Sequence, residues 1–379
     1  MGDTDTMRTG LITTVNTNIG DDLIREGICS VLREVFRGHE IEFVLVNKHQ
    51  PLSVFPEQHP MHLAKMTRYL PKGRYHADRL IARLASRLGP SRLDSCDLVV
   101  QCGAPVLWPG CHRCEWAEPI WNQVIGRLWK RIPVLNLAAG ACYPWERQPA
   151  RVDDPDDARY LRTILGYCCL TTVRDALAQS LCASLGTQTP LIPCSAFLAT
   201  RQRVACGGTD GIVVINYMRG AGHYDWGQEI DPARWENMVK ALLGRLKNRH
   251  RLAFLCHSEE EYLLAQGLDP TLPRLWPKTA QEYSTLVSEA SVGLCNRVHG
   301  AVALAGLGVP CVAVGTDTRL LMVDAIGLPY WYVKKASVDE LEHTIEDLLT
   351  HRSQARERLL GLRSKAWKQY VEAVADAIR

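Results

Sequence analysis

The chain lacks any apolar run long enough to cross a bilayer. The longest candidate, around Ala301 to Gly315, is broken by glycines and a proline. The first residues show no basic–apolar–small pattern, so no secretory leader is expected. No Asn-x-Ser/Thr sequon is present. Charge of one sign is also lacking: 44 basic residues against 41 acidic ones leave +3 over 379 residues. That balance excludes a bulk nucleic-acid binder, so no nucleic-acid partner is expected. Cysteine is plentiful by contrast, with fourteen residues. Most sit in apolar runs (Cys168, Cys169, Cys182, Cys256, Cys311), where a free thiol behaves as a small hydrophobe. A chain of this length needs no disulfide scaffold, and a reduced, cytoplasmic protein is expected.

What is there is βα alternation, twice. A strand from Gly10 to Val15 leads through the polar turn Asn16 to Asp22 into a helix with Leu23, Ile24, Ile28, Val31 and Leu32 at helical spacing. Ile41 to Val46 reads as the second strand. Further strands are expected at Asp97–Gln101, Val134–Leu137, Leu170–Val173 and Leu191–Pro193. Helices are expected at Pro119–Lys130, Asp156–Gly166 and from Arg174-Asp175 to Leu185. The Gly-rich segment Arg201 to Asp210 reads as a linker. Alternation restarts with strand Gly211–Asn216, helix Pro232–Lys247, strand Leu252–Cys256, helix Glu259–Gly267 and helix Thr279–Ala290, the last opened by a Thr279/Glu282 capping box. The last forty residues read as helical. The expected division is a first domain over residues 1–200, a second over 208–345, and a helical segment 346–379 able to cross back. The fold class is α/β, with two Rossmann-like domains facing each other across a cleft, where ligands should lie between strand ends.

Between Lys48 and Arg92 the rhythm breaks. This stretch holds nine Lys or Arg, two acidic residues and four histidines. A solvated insertion, a wall of an anion cleft, and a surface meeting acidic lipid head groups all fit it, so peripheral contact with the inner face of a membrane through 48–92 is carried as an expectation. Cys111-x-x-Cys114, with His112 between, is half of a metal site; no second pair is present, and neither a metal nor a cofactor is expected. Trp108, Trp116, Trp121, Trp129 and Trp145 cluster nearby, either as core or as faces for a sugar ring.

The chemistry-bearing stretch is Ser291 to Leu328. A short strand, Val292–Leu294, ends in Asn296-Arg297-Val298-His299-Gly300. A small-residue helix then runs from Ala301 to Leu307, Gly308-Val309-Pro310 closes it, and the next strand spans Cys311–Val314. Open α/β sheets bind ligands at this edge. Arg297 beside a helix N-terminus suits a phosphate or a carboxylate.

In order along the chain, Asn16 to Asp22, Asp97 to Trp108, Val134 to Gly140, Thr172 to Asp175, Asn216 to Arg219, Arg297-Val298-His299 before Gly-Val-Pro, and Asp317 to Leu328 resemble the motifs of the polysaccharide pyruvyl transferase family. The resemblance implies a GT-B-like fold and transfer of a pyruvyl group from phosphoenolpyruvate to hydroxyls of a sugar-containing acceptor, free or lipid-linked. The segments Pro193 to Ala196 and Gly315 to Arg319 depart from the family pattern, with Arg319 standing where the family often has lysine. On this reading Arg297, Arg219, His299, Gly300, Asp317 and Arg319 hold the donor. Asn16, Asn18, Gly20, Gly103 and Arg174 hold the acceptor. His299 is the candidate acid and Asp21 or Asp22 the candidate base. Interdomain ion pairs for the arginines, and helix capping for His299, Asp21 and Asp22, remain open. Two further functions stay in view: a GT-B glycosyltransferase using a nucleotide sugar, and a non-catalytic sensor or partner subunit.

Overall fold

The computed structural model describes residues 6–15, 19–60, 62, 84, 89–103, 105–128, 131–199 and 211–379. The first sheet contains β1 (Thr6–Thr13), β2 (Glu40–Asn47), β3 (Leu98–Cys102), β4 (Pro105–Leu107), β5 (Val134–Ala141) and β6 (Leu170–Val173). All its pairings are parallel, in the order β2-β1-β3-β5-β4, with β6 also on β5. Strands β3 and β5 are buried along their whole length, as expected for parallel strands covered on both faces. Helix α1 (Ile19–Val35) buries Leu23, Ile24, Ile28, Val31 and Leu32 and carries Asp21 and Asp22 in its first turn, where acids favour the dipole. Helices α2 (Pro155–Tyr167) and α3 (Ala176–Ser184) are N-capped by Asp154 and Asp175.

The second sheet contains β7 (Ile212–Asn216), β8 (Arg251–Leu255), β9 (Arg274–Leu275), β10 (Ala290–Cys295), β11 (Cys311–Gly315) and β12 (Tyr330–Tyr332). It is parallel throughout, in the order β12-β11-β10-β7-β8-β9. Its helices are α4 (Pro232–Leu246), α5 (Glu259–Leu268), α6 (Ala280–Leu286) and α7 (Val298–Gly306). Two more, α8 (Val338–Thr350) and α9 (Arg352–Ile378), end the chain. From β7 the chain winds outward one way and from β10 the other, so the switch point falls between them. In the first sheet it falls between β1 and β3. Crevices at switch points are where open sheets take ligands.

The two halves share one core. The segment Ser195–Leu198 lies between α1 and α7. A Cβ on Gly27 would run into the Ser195 carbonyl, and one on Gly306 into the Phe197 carbonyl. Helix α9 returns to the first half, where Tyr370 Oη donates to Pro193 O at 3.1 Å. On the far side, Pro144 bridges Asp317, Thr318 N donates to Tyr143 O (3.0 Å), and Tyr143 N donates to Thr318 Oγ1 (2.9 Å).

Some local expectations are corrected. The helix after Thr279 ends at Leu286, because Ala290 is already paired with Ile212 in β10. Thr279 caps it as expected, but Glu282 reaches back to Lys278 N (2.8 Å) rather than to Thr279. Leu191 to Pro193 is no strand; it leaves a single bridge, Val173–Leu191, flanked by prolines that cannot donate. The helix expected from Pro119 starts at Ala117 and is a π-helix to Ile125, a register that 3.6-residue spacing does not reveal. Residues 61, 63–83 and 85–88 of the basic stretch, Trp129 and the linker Arg201 to Asp210 lie outside the described residues. Among the described residues no helix is long and apolar enough to cross a membrane.

Candidate active site

The carboxyl ends of β1, β2, β7, β10 and β11 open into one cavity of about 320 Å³. Small-molecule sites begin at about this size. Gly20, Asp21, Lys48, His49, Trp108 and Trp116 line it from the first half. His223, Tyr224, His257, Arg297, His299 and Arg319 line it from the second.

Arg297 is fixed before any ligand arrives. Its N–H donates to Asn216 Oδ1 (2.7 Å) and its Nε to Glu261 Oε1 (2.5 Å), while Nη1 meets the His223 ring. Glu261, on α5, is almost fully buried and also accepts from Asn216 Nδ2 (2.7 Å) and His257 N (2.8 Å). Asn296 ties the same loop together, accepting from Met218 N and donating to Val314 O, both at 2.9 Å. Arg319 is gripped by Asp317 through two bonds of 2.8 and 2.6 Å, and its guanidinium lies 5.3 Å from the centre of the Tyr224 ring.

Arg174 differs. It follows β6, is completely buried, and places its guanidinium against Gly140, where any side chain would collide with it. Its Nη1 reaches only Cys194 Sγ (3.8 Å), and among the described residues its Nε and Nη2 have no hydrogen-bond partner. The neighbouring Asp175 is committed to Ala178 N (2.7 Å) and Ala141 N (3.0 Å).

These cations converge on His299. Burial, then the charges of Arg174, Arg319, Lys48 and Arg297, hold its ring well below the usual histidine range. Its Nε2 is shielded and has no partner among the described residues. His257, buried with neither ring nitrogen partnered among the described residues, is brought to about 4 by burial. His223 also falls to about 4, through desolvation and then Arg297 and Arg319. Burial lowers the Lys48 amine, against which the charge of Asp21 works. Neutral imidazoles among guanidinium groups, with donors unfilled, make a site for a compact polyanion.

Several sequence-derived candidates fall elsewhere. Asp22 is not among the cavity's lining residues and pairs with Arg25 at 2.5 Å, both side chains being largely buried. Arg219 is exposed and is not among the cavity's lining residues. Gly103 packs under Ile24 and Ala138. Asp317 acts through Arg319, and a Cβ on Gly300 would come within 2.7 Å of His257 Cε1. Arg174, first grouped with the acceptor, stands with the cations around His299. Asn16 and Asn18 lie outside the described residues. Sequence reasoning missed Lys48, His49, His223, His257 and Glu261. Lys48, His49 and His257 follow the ends of β2 and β8, His223 lies in the loop after β7 and Glu261 on α5, and only the folded chain brings them together. Cys111, in the half-motif, donates to Asp157 Oδ1 (3.3 Å), and Asp157 also accepts from Gly110 N, His112 N and His112 Nδ1, which organises this loop.

A family model described as polysaccharide pyruvyl transferase matches residues 18–318, more than three quarters of the chain. The chain belongs to the polysaccharide pyruvyl transferase family. No curated protein matches it in sequence. Among solved structures, UDP-GlcNAc 2-epimerase from Neisseria meningitidis bound to UDP-GlcNAc is 12% identical, with 98% of this chain and 100% of that chain covered and a TM-score of 0.53. UDP-GlcNAc 2-epimerase from Methanocaldococcus jannaschii, in complex with UDP-GlcNAc and UDP, is 14% identical over 90% of this chain and 93% of that chain, with a TM-score of 0.52. At such identity the likeness speaks for the fold alone, which is GT-B-like. This pyruvyl transferase family member thus combines a transferase family's motifs with a cavity at the switch point of its second sheet.

Proposed function

We propose that this protein transfers a pyruvyl group from phosphoenolpyruvate to hydroxyls of a sugar-containing acceptor. One observation carries the reading. Arg297, Arg319, Lys48 and His299 line one cavity, and the charge of the wholly buried Arg174, whose Nε and Nη2 have no partner among the described residues, reaches the His299 ring. Buried cations are costly, and an anion in the cavity offsets that cost. Phosphoenolpyruvate offers a phosphate and a carboxylate on a three-carbon frame, which suits several fixed cations and little apolar surface.

The bound anion reverses the electrostatics at His299. Its negative charge offsets the neighbouring cations and favours the imidazolium, which can then protonate the methylene carbon as the acceptor oxygen adds at C2. Arg297, clamped by Glu261 and Asn216, orients the donor without needing to reorganise. The acceptor then lies toward Trp108 and Trp116, whose rings stack at 5.6 Å.

Calorimetry tests this. Wild type should bind phosphoenolpyruvate, whereas Arg297→Ala should weaken binding at least about tenfold, roughly 1.4 kcal/mol, while remaining folded. Unchanged affinity in that variant would refute the assignment. Thermal stabilisation by UDP but not by phosphoenolpyruvate would favour a nucleotide-sugar enzyme instead.

A further inference from the structure

Addition of a hydroxyl to phosphoenolpyruvate needs a proton acceptor on the side opposite His299. The carboxylates of the first-half wall are engaged. Asp22 is paired with Arg25, and the charge of Asp21 faces the buried Lys48 amine. His49 follows Lys48 at the end of β2 and lines the cavity. Its backbone is fixed by Asn47 Oδ1, which accepts from His49 N at 3.1 Å. Its Nδ1 lies 2.6 Å from Glu115 Oε1. The carboxylate accepts only, so Nδ1 carries the hydrogen and Nε2 keeps its lone pair. The ring meets Trp116 edge-on at 5.7 Å, next to the Trp108–Trp116 stack on which a sugar ring could lie. Both His49 and Glu115 are half-exposed, hence open to an incoming acceptor.

We propose that His49, oriented by Glu115, is the general base that takes the proton from the acceptor hydroxyl. This rests on the donor reading above. The acceptor O–H bond breaks and its proton passes to His49 Nε2. The oxygen bonds to C2 of phosphoenolpyruvate, and the C2=C3 electron pair takes a proton at C3 from the His299 imidazolium. The result is a phosphate-bearing tetrahedral adduct, through which either a ketal or an enol ether product must form. Glu115 is a positioning residue: it sets the tautomer and is placed to share the positive charge appearing on the ring.

The test follows phosphate release from phosphoenolpyruvate, with a set of methyl hexosides and with water as acceptor surrogates, alongside donor calorimetry. His49→Ala should bind phosphoenolpyruvate within about twofold of wild type yet lose at least about 100-fold in phosphate release, as removal of a general base does. Added imidazole should restore part of the loss. Glu115→Gln can bond Nδ1 through either end of its amide, so it no longer fixes the tautomer, and it carries no charge to offset the imidazolium. It should lose turnover at unchanged donor affinity, which a merely structural bond would not. Phosphate release by His49→Ala within about threefold of wild type, at equal donor affinity, would overturn the assignment, since loss of a base costs about 100-fold or more. Failure of wild type itself to bind phosphoenolpyruvate would instead overturn the donor reading, and calorimetry shows that before any rate is measured.

Discussion

Arg174 is not among the cavity's lining residues, yet its charge reaches His299. Arg297 has Glu261, Arg319 has Asp317, and Lys48 has the charge of Asp21 nearby, but among the described residues Arg174 holds two donors without an acceptor. Replacing a buried ion by an apolar side chain of similar length is often neutral or stabilising. Arg174→Met should therefore leave the melting temperature of the ligand-free protein within about 2 °C of wild type, or raise it, while abolishing stabilisation by phosphoenolpyruvate. A scanning-fluorimetry titration reads both. The histidines give a pH window. His257 sits near 4 when folded against a usual 6.5, so between those values the unfolded chain binds more protons. Its contribution is full above about 6.5 and is lost as pH falls toward 4. Urea midpoints across this range should fall with acidity, and His257→Asn should flatten the slope.

Two helices aim the site. The first turn of α1 brings Gly20 and Asp21 to the cavity and the start of α7 brings Arg297 and His299, because both helices rest on Ser195–Leu198. Gly27 and Gly306 are the contact points, where added side chains would strike backbone that cannot yield. Gly27→Ala should cost about 1–3 kcal/mol by urea unfolding, the usual range for overpacking. At this scale much was legible in advance. Strand, charged turn and small-residue helix at Arg297–His299 are local, so spacing exposed them. Glu261 was not legible: it lies in the first turn of α5, which Ser258 Oγ caps, but its carboxylate turns to Arg297, 36 residues away. The four-cation surround of His299 likewise depends on sheet register, which no local pattern encodes. Asp21 and Asp22 look alike in the sequence as acids of one first turn, and only the fold shows that Asp21 lines the cavity while Asp22 pairs with Arg25.

The molecule behaves as one body on its contacts. Helix α9 clamps the first half from behind through Tyr370, while Tyr143 and Thr318 exchange hydrogen bonds across the other side. A core cluster runs through α1, α7 and α9 together. Differential scanning calorimetry should therefore show a single unfolding transition rather than one per sheet. Tyr370 is wholly buried, and Tyr370→Ala should lower stability by about 3–5 kcal/mol, as large aromatic truncations do. Two separated transitions in wild type would contradict this coupling.

The cations around His299 carry one further consequence of the proposed reaction, for turnover in the cell. That reaction would release inorganic phosphate in every cycle, an anion suited to the same cations as the donor. Product inhibition by phosphate should thus be competitive with phosphoenolpyruvate, and the departure of phosphate should be a slow step. The output of such an enzyme would follow the ratio of phosphoenolpyruvate to free phosphate rather than the amount of either alone.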